Sequence, residues 1–205
     1  MRKKSHISLA TFLMDNINVQ DLNEHKKAFY IGSILPDLKP SFITKRHTID
    51  ETFGTLIEEI RKVTIDYDVN KGINGYYARH LGVITHYLAD YCTFPHNNIF
   101  QGSITDHVYY EKELKYSLRE YVKRDDVQRD RNAVRSFQSI EDVISFIIKM
   151  HKEYLKAIKV VKEDIQYIVE LCYRVVDAII TFFELTYERL HSSFNKRNMD
   201  INYQQ

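Results

Sequence analysis

The sequence predicts an all-α fold, a single multi-helix domain of about six to eight helices. Three observations carry that reading. Apolar residues recur at spacings of three and four along nearly the whole chain, which is the period of a helix with one buried face. Gly 6 and Pro 3 in 205 residues supply too few turns for a many-stranded β architecture. Three Ser/Thr-x-x-Asp/Glu strings, Thr48–Glu51, Ser103–Asp106 and Ser139–Asp142, each stand just before a helical pattern, where a side-chain oxygen caps the first free N–H groups.

In chain order, residues 6–15 and 20–31 read as two short helices. Gly32, Pro36 and Pro40 then mark a break, because they cannot share one helix interior. Thr48 opens a helix of about four turns, residues 66–75 form a polar loop, and residues 75–92 form a helix with Leu81, Ile84 and Leu88 on its apolar side. Phe94-Pro95 ends it. Ser103 caps a helix running to about residue 122, and residues 123–135, of mixed charge, read as a solvated loop or frayed end. From Ser139 to Leu190, Val143, Ile147, Met150, Tyr154, Ile158, Ile165, Ile168, Cys172, Val176, Ile179 and Phe183 trace one or two long amphipathic helices. Residues 1–191 are expected to form the domain and 192–205 a disordered tail.

Composition narrows the function. Hydrophobic residues at 44% and charged residues at 28% are enough for a packed core and exclude a disordered chain. Lys+Arg 29 against Asp+Glu 28 leaves a net charge of +1, so no extended nucleic-acid surface is expected. Two cysteines, Cys92 and Cys172, cannot build a disulfide framework and read as free thiols of a reducing compartment. The start Met-Arg-Lys-Lys lacks a following apolar segment, and no stretch approaches a transmembrane span, so a soluble cytoplasmic protein is expected, with peripheral membrane contact left open. Richness in Ile, Lys, Asn and Tyr points to an AT-rich bacterial genome.

Nine histidines remain to be explained. His86 and Asp90 are four apart on one helix, hence on one face and about 40° apart. His107 and Glu111 repeat the arrangement on another helix, and His96 lies between the two pairs. His6, Asp37 and His47 stand at helix ends and loops. Imidazole and carboxylate without thiolate is the donor set of hydrolytic zinc, or of manganese or iron at similar sites. A single His-x-x-x-Asp is common and weak evidence, but two such pairs around a third His are harder to assign to packing alone. His25, His80, His151 and His191 have no patterned carboxylate and are read as structural.

The string His86-x3-Asp90-x5-His96 followed by His107-x3-Glu111 resembles the zinc-dependent phospholipase C family, which includes bacterial phosphatidylcholine-hydrolysing enzymes and the catalytic domain of clostridial alpha-toxin. More distantly it is similar to the S1/P1 nucleases. Leu35-Pro36-Asp37, His47 and His6 stand where that family carries an Asp and two His. The resemblance covers about half of the chain directly. It implies an all-α domain of the phospholipase C / P1 nuclease type with a cluster of zinc ions, two or three, in a cleft. Asp37, His47, His86 and Asp90 would hold one ion. Asp90 would bridge to a second, also bound by His6, and His96, His107 and Glu111 would hold the third. In secreted members the second ion is also ligated by the N-terminal residue, usually Trp. This chain has no Trp and only four residues between Met1 and His6, so the departure from the pattern is expected at that second ion, which makes the count two or three.

The implied activity is a zinc-dependent hydrolase acting on phosphoric ester bonds, phospholipase C-like, in which metal-activated water attacks a phosphodiester and Asp37 orients or deprotonates it. The substrate is expected to be a phosphodiester or phospholipid. A choline cage is not evident: Leu38 follows Asp37, Thr44, Lys45 and Arg46 precede His47, and Phe42 is the nearest aromatic. Lys45 and Arg46 are candidates for an anionic headgroup or for simple solvation. Other readings are a nuclease-like phosphoesterase and a non-catalytic or degenerate metal-binding helical module. A His-Asp dipeptide phosphohydrolase is disfavoured, since no His is followed by Asp.

Overall fold

The computed structural model describes residues 1–38, 47–127 and 137–202. Among them are eight α-helices and no strands: α1 Lys3–Ile17, α2 Gln20–Glu24, α3 Lys26–Ile34, α4 Ile49–Lys62, α5 Gly75–Tyr91, α6 Ile104–Tyr121, α7 Ile140–Lys156 and α8 Val161–Asn202. The all-α expectation therefore holds. Pro40, Phe42, Thr44, Lys45 and Arg46, and residues 128–135 of the expected solvated loop, lie outside the described residues.

Capping follows the three sequence strings. Ser103 and Ser139 each accept from the backbone N–H three residues on, and Asp106 and Asp142 return the bond to the cap residue. Thr48 accepts from Glu51 N–H at 3.3 Å, which starts α4. Unpaired N–H groups of a helix's first turn are satisfied this way, at about 1 kcal/mol per cap.

The core is centred on α5, where Tyr77, Leu81, Ile84, Leu88 and Tyr91 are fully buried. α1, α3, α4 and α8 pack around it. The long C-terminal pattern resolves into two helices, α7 and α8. Ile158, expected on that buried stripe, is 75% exposed, because α7 ends at Lys156 and Ile158 falls in the connection to α8. The break expected at Gly32 comes later, at Leu35 and Pro36. Gly32 stays inside α3 for a packing reason: a Cβ there would lie 2.0 Å from the Arg79 carbonyl oxygen. Its counterpart Gly82 on α5 would meet the Phe29 carbonyl at 2.2 Å. Two glycines facing one another let α3 and α5 cross with their backbones in contact, a closeness no side chain permits. The expected polar loop 66–75 contains a 3-10 turn, Val69–Lys71, with Val69 and Ile73 buried.

Candidate metal centre

Six segments bring the chemistry-bearing residues together. His86 and Asp90 come from the last turns of α5, and His6 from the first turn of α1. Asp37 lies on the 3-10 turn Pro36–Leu38 just after α3, and His47 immediately precedes the α4 cap. His96 ends the 3-10 turn Phe94–His96, and His107 and Glu111 face the same space from α6.

Two donor groups form. In the first, Asp37, His47, His86 and Asp90 converge. His86 Nε2 lies 2.9 Å from His47 Nδ1, 3.2 Å from Asp90 Oδ2 and 3.6 Å from Asp37 Oδ1. His47 Nδ1 lies 3.0 Å from Asp90 Oδ2 and 3.7 Å from Asp37 Oδ1. In the second, His96 Nε2 and His107 Nε2 stand 3.4 and 3.3 Å from Glu111 Oε1. Asp90 joins the two: its Oδ2 is 3.5 Å from His96 Nδ1, and its Oδ1 is 3.4 Å from His6 Nε2.

The tautomer of His86 is set from outside the site. Its Nδ1 is 2.8 Å from the Ser33 carbonyl, an acceptor only, so Nδ1 carries the proton and donates. In the neutral ring that leaves Nε2 as a lone pair aimed at Asp90 and His47, the arrangement typical of a metal-ligating imidazole. The Gly32–Gly82 crossing brings that carbonyl within reach. No sequence motif announced Ser33; only the spacing of the two glycines could have hinted at it.

The N-terminal amine enters the cluster, although the sequence placed the departure from the family pattern there. The Met1 nitrogen donates to Asp90 Oδ1 at 2.6 Å, and lies 3.0 Å from His96 Nε2 and 3.3 Å from Glu111 Oε1. Burial pulls its pKa down, but the Asp90 and Glu111 carboxylates outweigh this and raise it. Burial alone would raise Asp90; the Met1 charge, His96, His86 and His6 hold it well below the carboxylate range. Glu111 is likewise lowered against burial, by hydrogen bonds from His107 and His96 and by the Met1 charge. Asp37 goes the other way, raised by burial and, more weakly, by the Asp90 charge.

The residues fit a bound cation on two counts. His6 is fully buried with neither ring nitrogen hydrogen-bonded, and burial, with the nearby His86, holds its pKa down to about 3. An unpaired buried polar group is costly, so a buried imidazole with neither nitrogen hydrogen-bonded, its Nε2 3.4 Å from Asp90 Oδ1, is accounted for by a ligand role. Donors around a tetrahedral zinc with bonds of about 2.0–2.2 Å stand about 3.3–3.6 Å apart. The five separations in the first group run from 2.9 to 3.7 Å and bracket that value.

The family model for zinc-dependent phospholipase C matches residues 5–159. The chain belongs to that family. No curated protein and no solved structure matches it. Within the matched range lie all eight residues the sequence singled out, and the family together with the donor groups supports zinc. No helix among the described residues is long and apolar enough to cross a membrane.

Beside the cluster opens a cleft of about 600 Å³. Met1, His47, His96, His107 and Glu111 line its floor side, and Pro95, Phe100 and Ile104 give it an apolar wall. Its described lining holds no Lys or Arg. Of the four histidines read as structural, His80 pairs with the buried Glu59, itself bound by Lys62 at 2.7 Å, and His151 bonds the Asn97 side chain at 2.9 Å. Neither belongs to a donor group.

Proposed function

We propose that the protein is a zinc-dependent phosphodiesterase of the phospholipase C type, with the cleft beside the two donor groups as its substrate site. The single observation that carries this reading is the convergence of Asp37, His47, His86 and Asp90, their donor atoms 2.9–3.7 Å apart, next to the His96–His107–Glu111 group. Asp37, His47, His86 and Asp90 would hold one ion; His96, His107 and Glu111 another. His6, Asp90 Oδ1 and the Met1 amine offer donors for a third. Zinc in such sites polarises phosphoryl oxygens and lowers the pKa of a bound water.

The chain's own residues supply positioning and proton handling. Asp90 sets the two groups at a fixed separation through its two oxygens. Asp37 is held more loosely than the other donors of its group, at 3.6–3.7 Å, and its raised pKa makes it the more basic carboxylate. It is assigned the role of accepting the proton of the attacking water. The apolar wall of Phe100 and Ile104 suits the glycerol and acyl portion of a phospholipid, and among the described residues the cleft lining holds no Lys or Arg for a free phosphate monoester.

Purified protein should contain zinc and release phosphorylated headgroup from phospholipid vesicles. Asp37→Asn should lower kcat by about 10²–10⁴-fold and, as it weakens one donor of its group, should also lower zinc affinity at that group. Zinc-replete protein inert on phospholipids, nitrophenyl phosphodiesters and single-stranded nucleic acid would instead establish a metal-binding module without turnover. Activity confined to nucleic acid would favour the nuclease-like reading.

A further inference from the structure

Asp164 stands outside the family match, outside both donor groups and outside the cleft lining. It is nevertheless fully buried in the first turn of α8. Burying a carboxylate is costly unless donors compensate it, and three do. The Phe94 backbone N–H donates to Oδ2 at 2.7 Å, the Tyr110 hydroxyl to the same oxygen at 2.6 Å, and the Tyr154 hydroxyl to Oδ1 at 2.9 Å. The positive end of the α8 dipole favours the charge further.

The partners matter because of what adjoins them. Phe94 opens the 3-10 turn that ends in His96. Tyr110 directly precedes Glu111 on α6 and follows His107 by three residues, one turn of helix. The Phe94 and Tyr110 rings also meet edge to face at 5.8 Å. One carboxylate oxygen thus ties together the two elements that contribute His96 on one side and His107 with Glu111 on the other. Asn97 steadies the far end of the same turn, its amide donating to the Tyr91 and Thr93 carbonyls.

We propose that Asp164 is a positioning residue for the second donor group, setting the distance of His96 from His107 and Glu111 by holding the Phe94 turn against Tyr110. This rests on the reading that the group binds a metal ion. Residues that orient ligands from outside typically contribute 10–100-fold in metal affinity. Ala at this position removes both acceptor oxygens, so the bonds from Phe94 N–H, the Tyr110 hydroxyl and the Tyr154 hydroxyl are all lost.

The test is zinc titration, and cobalt(II) absorption as a probe of coordination, on full-length Asp164→Ala with wild type in parallel. The variant should bind one ion at about 10–100-fold weaker affinity with a changed cobalt spectrum for that ion. The ion held by Asp37, His47, His86 and Asp90 should bind as in wild type. Uniform weakening of all ions, or unchanged affinity in a folded variant, would overturn the proposal. Should Asp164→Ala not fold, Tyr110→Phe removes only the α6 anchor and should weaken the same single ion; unchanged zinc affinity in that variant overturns it equally. Wild-type protein that takes up no zinc would fail the functional reading itself, which separates the two failures.

Discussion

Removing the charge of Asp90 is the sharpest single perturbation available. Its Oδ1 lies 2.6 Å from the Met1 ammonium, and its Oδ2 lies 3.0 and 3.2 Å from the His47 and His86 nitrogens, in a position with no solvent exposure. At an effective dielectric near 20, a unit-charge pair at such a distance is worth about 5–6 kcal/mol. Desolvation of both groups offsets much of that attraction, and losing one partner of a buried pair costs about 3–5 kcal/mol. In the metal-free protein Asp90→Asn should therefore lower the melting midpoint by about 6–20 °C, since a domain of this size loses about 2–4 °C per kcal/mol. In zinc-replete protein it should remove at least one ion, because an amide offers no negative charge to bridge two cations. Differential scanning calorimetry in chelator, and metal analysis after dialysis, read the two effects separately. An Asp90→Asn protein with wild-type zinc content and an unchanged metal-free midpoint would refute both the ligand assignment and the electrostatic reasoning.

Other outcomes follow from the same geometry. With zinc removed, His6 is held neutral in the folded state down to about pH 3 while the unfolded chain takes up its proton near 6.5. Stability should therefore fall as pH drops from 6.5 toward 3, and His6→Asn should flatten that slope in denaturant titrations at stepped pH. Gly82→Ala would drive a Cβ into the Phe29 carbonyl, so a loss of about 1–3 kcal/mol or more is expected, with weakened zinc binding as the Ser33 carbonyl moves off His86. Gly54→Ala on α4 meets nothing within 4 Å and should gain about 0.5–1 kcal/mol, which chemical denaturation can resolve. His80→Ala should leave zinc content intact and cost about 1–3 kcal/mol by stripping Glu59 of one of its two partners.

Most of the fold was legible because helical spacing and capping are local properties. Ser103 and Ser139 mark their helix starts in three letters, and Leu81, Ile84 and Leu88 declare the buried face of α5. Reading failed where tertiary contact overrides local preference. Gly32 looks like a helix breaker, yet sits inside α3 because its missing Cβ admits the Arg79 carbonyl. Ile158 keeps the spacing of a buried stripe but falls past the end of its helix. The candidate ligands were visible for a similar reason: His86 with Asp90 and His107 with Glu111 are pairs at one helical turn. Their supporting groups were not. The Ser33 carbonyl carries no side-chain signal at all, and Asp164 lies about 70 residues from the turn it holds, beyond any local pattern.

Anomalous scattering from a zinc-soaked crystal, recorded on both sides of the zinc absorption edge, tests the central claim most directly. One peak should lie among Asp37, His47, His86 and Asp90, and another among His96, His107 and Glu111. Zinc found only at surface histidines, with both groups empty at full soak, would contradict it.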